Sequence, residues 1–230
     1  TKTLIKGKLV KRYKRFFADI KVNKETIVAH CPNTGSMKGL LNINNEVWIS
    51  KNEDPKRKLK YTLEIIKVKK NLVGVNTHFA NKIVYHGLLN NLIKELNNNQ
   101  NIKPEVFFNK KTRFDFLVKK NNQKIFVEVK NVTLFRKDKI SEFPDAITSR
   151  GSKHLKTLID ATKKGYKSYI IFLVQIQGMK YFKIAKDIDK EYYQNYLLAK
   201  KAGVKFLAYR CKIDPTKEIK IEKKLKIIDV

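Results

Sequence analysis

In a chain where 31% of residues are charged, the segment Tyr169–Ile176 holds seven apolar residues out of eight. So short a run reads as a strand covered on both faces, as in parallel sheets flanked by helices. The covering elements are legible nearby. Thr148–Lys164 has a helical pattern closed by Gly165, and Lys190–Ala202 has another stopped by Gly203. A helix is also expected over His86–Asn97, from apolar residues at 88, 89, 92, 93 and 96. Strands are expected at Glu105–Phe108, Arg113–Val118, Lys124–Val132, Val204–Cys211 and Ile219–Ile228. From about residue 85 the order is therefore α-β-β-β-α-β, followed by α-β-β.

The first part of the chain differs. Short alternating segments fall at Phe16–Val22, Thr26–His30, Asn45–Ser50, Thr62–Val68 and Leu72–Val75, separated by turn signals such as Pro32-Asn33-Thr34-Gly35 and Asp54-Pro55. Five short strands suggest a small barrel. An OB-like barrel over residues 1–84 leads, with an SH3-like barrel as the alternative, and residues 85–230 form the second domain of an α/β (α+β) protein. The 230 residues are ample for two buried cores.

Charge narrows the function. Lys+Arg total 51 against 21 Asp+Glu, a net charge of +30, which points to a polyanionic partner. The positive charge sits on 44 lysines and seven arginines in a chain also rich in Asn and Ile, as A+T-rich coding would produce. Part of it is thus background, and the arginines kept against that drift are better pointers, because their planar forks suit phosphate. No apolar run approaches the ~18 residues of a membrane helix, no signal-peptide stretch opens the chain, and two cysteines build no disulfide framework. A cytoplasmic location is the expectation.

The chemistry concentrates in Arg113-Phe114-Asp115-Phe116 and Val127-Glu128-Val129-Lys130. With Asn121-Asn122 as a two-residue hairpin loop, 120 opposes 123 and 115 opposes 128. Asp115 and Glu128 are then cross-strand neighbours ~5 Å apart, with Lys130 on the same face. Phe114, Phe116, Val118, Ile125, Val127 and Val129 face the other way, into the core. Two facing carboxylates repel unless something neutralises them. Hard oxygen ligands suit Mg²⁺ (or Mn²⁺), and Lys130 would position water or stabilise phosphate charge, an arrangement suited to phosphodiester hydrolysis. The alternative is a solvated strand face on which Lys130 screens both acids.

With the α-β-β-β-α-β order, this set resembles the PD-(D/E)xK nuclease core. Phe114 stands where that motif often has Pro. The resemblance implies a further acid from the first helix or strand, with Glu95 and Glu105 the options, and the Val129 carbonyl as a third metal ligand. It also places beside the site a helix that can carry a basic residue. Arg150 and His154, at i and i+4 on one face of the second helix, are the candidates, Arg150 the preferred one.

Longer stretches extend the likeness over nearly the whole chain: Arg12–Phe16, His30–Met37, Asn52–Leu59, Val73–Thr77, Arg113–Leu117, Val127–Leu134, Phe143–Thr148, Arg150–Leu155 and Phe172–Gln175. By these the chain closely resembles the sugar fermentation stimulation protein family (SfsA). The resemblance implies an OB-like domain joined to a nuclease-like domain, with DNA, single-stranded or duplex, as partner. It leaves enzyme and non-catalytic DNA-binding regulator of sugar metabolism as competing readings. RNA is compatible with both domain types, and a homodimer would suit a duplex cutter.

Candidate strand contacts are Arg12, Tyr13 and Arg15, which interleave cations and rings, and Lys56-Arg57-Lys58 in a loop. Of Tyr13 and Phe16, Tyr13 is expected to be the exposed ring. Cys31, Cys211 and the histidines lack zinc-ligand spacing, and Asn33–Ser36 is not a phosphate loop.

Overall fold

The structure is a computed structural model that describes residues 3–110 and 112–228. Five strands close the first barrel: β1 (Ile5–Tyr13), β2 (Phe17–Val22), β3 (Glu25–His30), β4 (Glu46–Lys51) and β5 (Tyr61–Val68). The antiparallel pairs β1–β2, β2–β3, β1–β4 and β4–β5 are joined by a parallel β3–β5 contact that shuts the ring. A sixth strand, β6 (Asn71–Gly74), folds back on β5.

This is the expected OB-like barrel with one strand exchanged. β1, which no alternating segment marks, takes a place in the ring, and Leu72–Val75, expected there, instead pairs with β5 as β6. In β1, only Leu9 is fully buried and lysines alternate along the outer face, so the apolar signal is faint. Phe16, expected to open a strand, lies instead in a tight turn where Lys14 and Arg15 have φ of 47° and 62°.

The second part begins with α1 (Ala80–Leu89), ten residues that start earlier than the expected helix. Asn91, at φ 55°, breaks it, yet Ile93 and Leu96 return to the same apolar cluster as Leu88. The helical period therefore survives past the helix end. Next come β7 (Asn101–Asn109), β8 (Thr112–Lys120), β9 (Gln123–Val132), β10 (Leu134–Lys137), β11 (Ile140–Phe143), α2 (Ser149–Lys163), β12 (Lys167–Val174), β13 (Tyr181–Ile184), α3 (Lys190–Lys201), β14 (Lys205–Ile213), β15 (Ile219–Lys224) and β16 (Lys226–Ile227).

Six strands form the main sheet, in the order β15-β14-β12-β9-β8-β7. The apolar run is its central strand, β12, parallel to both β9 and β14. Apolar residues of α1 cover one face, and α2 with Tyr192 and Tyr196 of α3 covers the other. Gly165 and Gly203, at φ 86° and 95°, follow α2 and α3 as left-handed caps. Pro104 is tolerated because β7 is an edge strand. A small second sheet, β10-β11-β13-β16, adds to the expected elements. The single strand expected over Ile219–Ile228 splits at buried Leu225 into β15 and β16, which lie in different sheets.

Several bonds join the two parts. Gly74 N–H donates to Gln175 O and Gln177 N–H to Leu72 O, both at 2.9 Å. Asp145, just after β11, accepts from Ser36 Oγ and from Met37 N–H at 3.3 Å. Asp145→Ala would orphan the Met37 amide. We expect it to cost about 1–3 kcal/mol, read as a lower urea midpoint, with faster hydrogen exchange at Met37.

Candidate active site

Asn121 and Asn122, at φ 48° and 58°, make the tight turn that sets the register of β8 on β9. Pairing runs from Lys120↔Gln123 to Phe116↔Val127, the expected register, and stops one pair short of Asp115 and Glu128. There a side chain replaces the ladder: Val129 N–H donates to Asp115 Oδ2 at 2.7 Å. On the other side of β8, Glu105 of β7 adopts φ 55° between the pairs Pro104↔Phe116 and Val106↔Phe114.

This irregularity breaks the alternation expected of β8. Phe116 and Val118 join the cluster under α1, but Phe114 joins the other one, packed with Phe108 and Phe126. Asp115, between them, is tethered from the α1 side: Asn81 Nδ2 donates to its Oδ1 at 2.7 Å. Glu128 is held from the α2 side. Its Oε1 accepts from Lys130 Nζ at 2.8 Å and from His154 Nδ1, and Lys130 Nζ lies 3.3 Å from the same ring nitrogen. A carboxylate only accepts, so Nδ1 carries the proton. Nε2 is then free to accept from Arg150 Nε at 3.5 Å.

The electrostatics follow from burial. Glu128 is 3% exposed. Burial alone would raise its pKa, but the charge of Lys130 and the bond and charge of His154 outweigh it, and the net direction is down. Asp115 moves the opposite way, to about 6: burial raises it first, the Glu128 charge adds to that, and the Val129 amide, Asn81 and Lys130 offset only part. Glu128 Oε2 is buried with no hydrogen-bond partner.

That orphaned oxygen, beside a second carboxylate disfavoured in its charged form, fits a hard divalent cation. Among the described residues, no group of three His, Cys, Asp or Glu could hold a metal ion. Two carboxylates and a main-chain carbonyl would leave the remaining positions to water and phosphate, the usual pattern for Mg²⁺.

Neither expected further acid joins the pair. Glu95 is taken by Tyr209 OH at 2.6 Å and by Lys224, and exposed Glu105 pairs with Arg113 at 2.7 Å. The first helix contributes Asn81 instead. His154, ranked below Arg150 from sequence, is the buried partner of Glu128, while Arg150 is exposed and reaches Glu128 only through that ring. The i, i+4 spacing marked the face of α2. Only the tertiary packing shows which of the two residues turns inward.

Among the surface residues, Arg12 is more enclosed than expected. Its Nη2 bonds the carbonyls of Arg15, Asn33 and Gly35 at 2.8–3.1 Å, so it braces two loops. Tyr13 stacks on Phe17 with centroids 5.4 Å apart, and Phe16, 46% exposed, is the more open ring. The expectation favouring Tyr13 is thus reversed, since the tight turn at 14–15 pushes Phe16 outward. Arg15 and Lys56-Arg57-Lys58 are exposed.

Two family descriptions match the chain: "SfsA N-terminal OB domain" over residues 10–75 and "Sugar fermentation stimulation protein RE domain" over residues 78–217. The chain belongs to the sugar fermentation stimulation protein (SfsA) family. A homolog from Pelagibacter ubique (strain HTCC1062) is 78% identical over 229 residues, covering 100% of this chain and 98% of its own. One from Marinomonas sp. (strain MWYL1) is 42% identical over 228 residues, covering 98% and 88%. The solved structure of Pyrococcus furiosus SfsA in complex with Ca²⁺ superposes with a TM-score of 0.89 at 22% identity, covering 98% of this chain and 96% of that one, and shows a shared fold. No helix among the described residues is long and apolar enough to cross a membrane.

Asp115 binds its proton more tightly folded, at about 6, than at its ordinary 3.8. Its contribution to stability is therefore lost as pH rises through that window and stays lost above it. Asp115→Asn should be the more stable protein at pH 8 by on the order of 2 kcal/mol, and the two stability curves should converge in acid. Parallel curves from urea titrations across that window would contradict the assignment.

Proposed function

We propose that this SfsA-family chain binds DNA and hydrolyses phosphodiester bonds with the help of a divalent cation, Mg²⁺ or Mn²⁺. The single observation that carries this reading is the pair Asp115 and Glu128 at the point where the β8–β9 ladder opens, with a buried Glu128 oxygen left unbonded. Asp115, Glu128 Oε2 and the Val129 carbonyl would hold the ion. When bound, such an ion activates water and offsets charge on the phosphate. The Ca²⁺ held by the Pyrococcus furiosus relative supports a hard cation in this fold.

This chain's own residues do the rest. Lys130 holds a positive charge beside Glu128, where it can bond an attacking water or a phosphate oxygen. His154 fixes the Glu128 carboxylate from α2 through Oε1 and leaves its second oxygen unbonded. Arg150, exposed on the same helix, is placed for a phosphate contact, as are Arg15 and Lys56-Arg57-Lys58 on the barrel. The net charge of +30 supports a polyanion as partner.

A second reading, a DNA-binding regulator without catalysis, has its own support. Both Asp115 oxygens and Glu128 Oε1 are already bonded within the chain. Assays on single-stranded, duplex and branched DNA with Mg²⁺ or Mn²⁺ separate the two. The nuclease reading expects cutting that Glu128→Ala and Lys130→Ala each reduce by at least ~100-fold, while binding in EDTA survives. Tight, salt-sensitive binding with no cutting of any substrate would favour the regulator.

A further inference from the structure

Arg113 is one of seven arginines in a chain with 44 lysines, and it stands two residues before Asp115 on β8. Its cross-strand partner is Phe107 of the edge strand β7. The guanidinium carbon lies 5.8 Å from the centroid of the Phe107 ring, a ring 66% exposed. Arg113 Nη2 also pairs at 2.7 Å with Glu105. Glu105 reaches it from a backbone φ of 55°, a conformation uncommon for a residue with a side chain.

Stability does not explain this arrangement. The side chains of Arg113 and Glu105 are 53% and 48% exposed, and an ion pair so open to water contributes little. The ring that carries the guanidinium is itself exposed, so little apolar surface is hidden. What results is a planar cation seated on a ring, which limits its motion. One of its arms is engaged by a carboxylate, the protein group whose paired oxygens most resemble those of a phosphate.

We propose that Arg113 is a positioning residue for DNA: it binds the phosphate next to the one held at Asp115 and Glu128, and Glu105 occupies the guanidinium until that phosphate displaces it. The inference rests on the proposed function for the cutting site and adds how a strand is registered on it. Residues 113 and 115 are ~6.6 Å apart along β8, comparable to the spacing of neighbouring phosphates on one strand. A phosphate fixed at Arg113 therefore sets which phosphodiester reaches the two carboxylates.

The test measures affinity in EDTA for a short labelled duplex and for one of its single strands, between about 50 and 200 mM salt, with cutting in Mn²⁺ measured beside it. Arg113→Ala should lower the slope of log affinity against log salt by about 0.9 on duplex and about 0.7 on single strand. It should also weaken binding roughly tenfold and slow cutting. Arg113→Lys should keep the slope, because the charge remains, without restoring the cutting rate, because an ammonium has no fork. Glu105→Gln should tighten binding by roughly 2- to 5-fold, the opposite of what losing a structural ion pair would do. Both residues are exposed, so the urea midpoints of all three variants should stay at the wild-type value. An unchanged slope in Arg113→Ala, or weaker binding in Glu105→Gln, would overturn the inference. Cutting that needs Glu128 but proceeds normally in Arg113→Ala would sink the positioning role alone. The expected slope change with no cutting by the wild type would keep the phosphate contact and sink the nuclease reading.

Discussion

Glu128 carries a carboxylate into the middle of a six-stranded sheet, and the second half of the molecule is arranged around keeping it ionised there. An isolated buried carboxylate would take up a proton rather than stay charged. Lys130, two residues on along β9, and His154, from the helix above, hold it in its charged form. Asp115, facing the same charge, is driven toward its neutral form. A pair of acids pushed apart in this way is a recurrent property of sites that move protons or bind cations. Here it arises because two adjacent strands stop pairing one step before the acids meet.

That opening also explains the local packing. With the ladder ended, the Asp115 carboxylate takes the Val129 amide that a backbone carbonyl would otherwise have met, and β8 turns so that Phe114 and Phe116 enter different cores. The barrel is fastened to the second part through Asp145 and through the Gly74–Gln175 and Gln177–Leu72 bonds, and Thr77 ties the turn before α1 back to Pro32.

What was legible in the sequence was mostly local. The Asn121-Asn122 turn fixed the register of β8 on β9, and with it the approach of Asp115 to Glu128. The Tyr169–Ile176 run located the central strand, and the glycines after α2 and α3 marked their ends. What was hidden depended on contacts far apart in the chain. His154 is 26 residues from Glu128, and Asn81 is 34 from Asp115. A lone His or Asn on a helix gives no signal of what it meets. β1 escaped notice because its outer face is lysine-rich, and Arg12 resembled a phosphate ligand although its guanidinium is spent on three carbonyls. Phe114 defied alternation because the irregularity beside it, a positive φ at Glu105 and the early end of the β8–β9 ladder, lies in the backbone and has no residue signature.

The central claim is that Asp115 and Glu128 together form a divalent-cation site. Calorimetric titration with Mn²⁺ near pH 6, in two buffers of different ionisation heat, tests it directly. The account predicts saturable binding coupled to release of the Asp115 proton, with both the binding and the buffer dependence lost in Asp115→Asn. Equal binding by wild type and Asp115→Asn, or binding with no proton released, would contradict it.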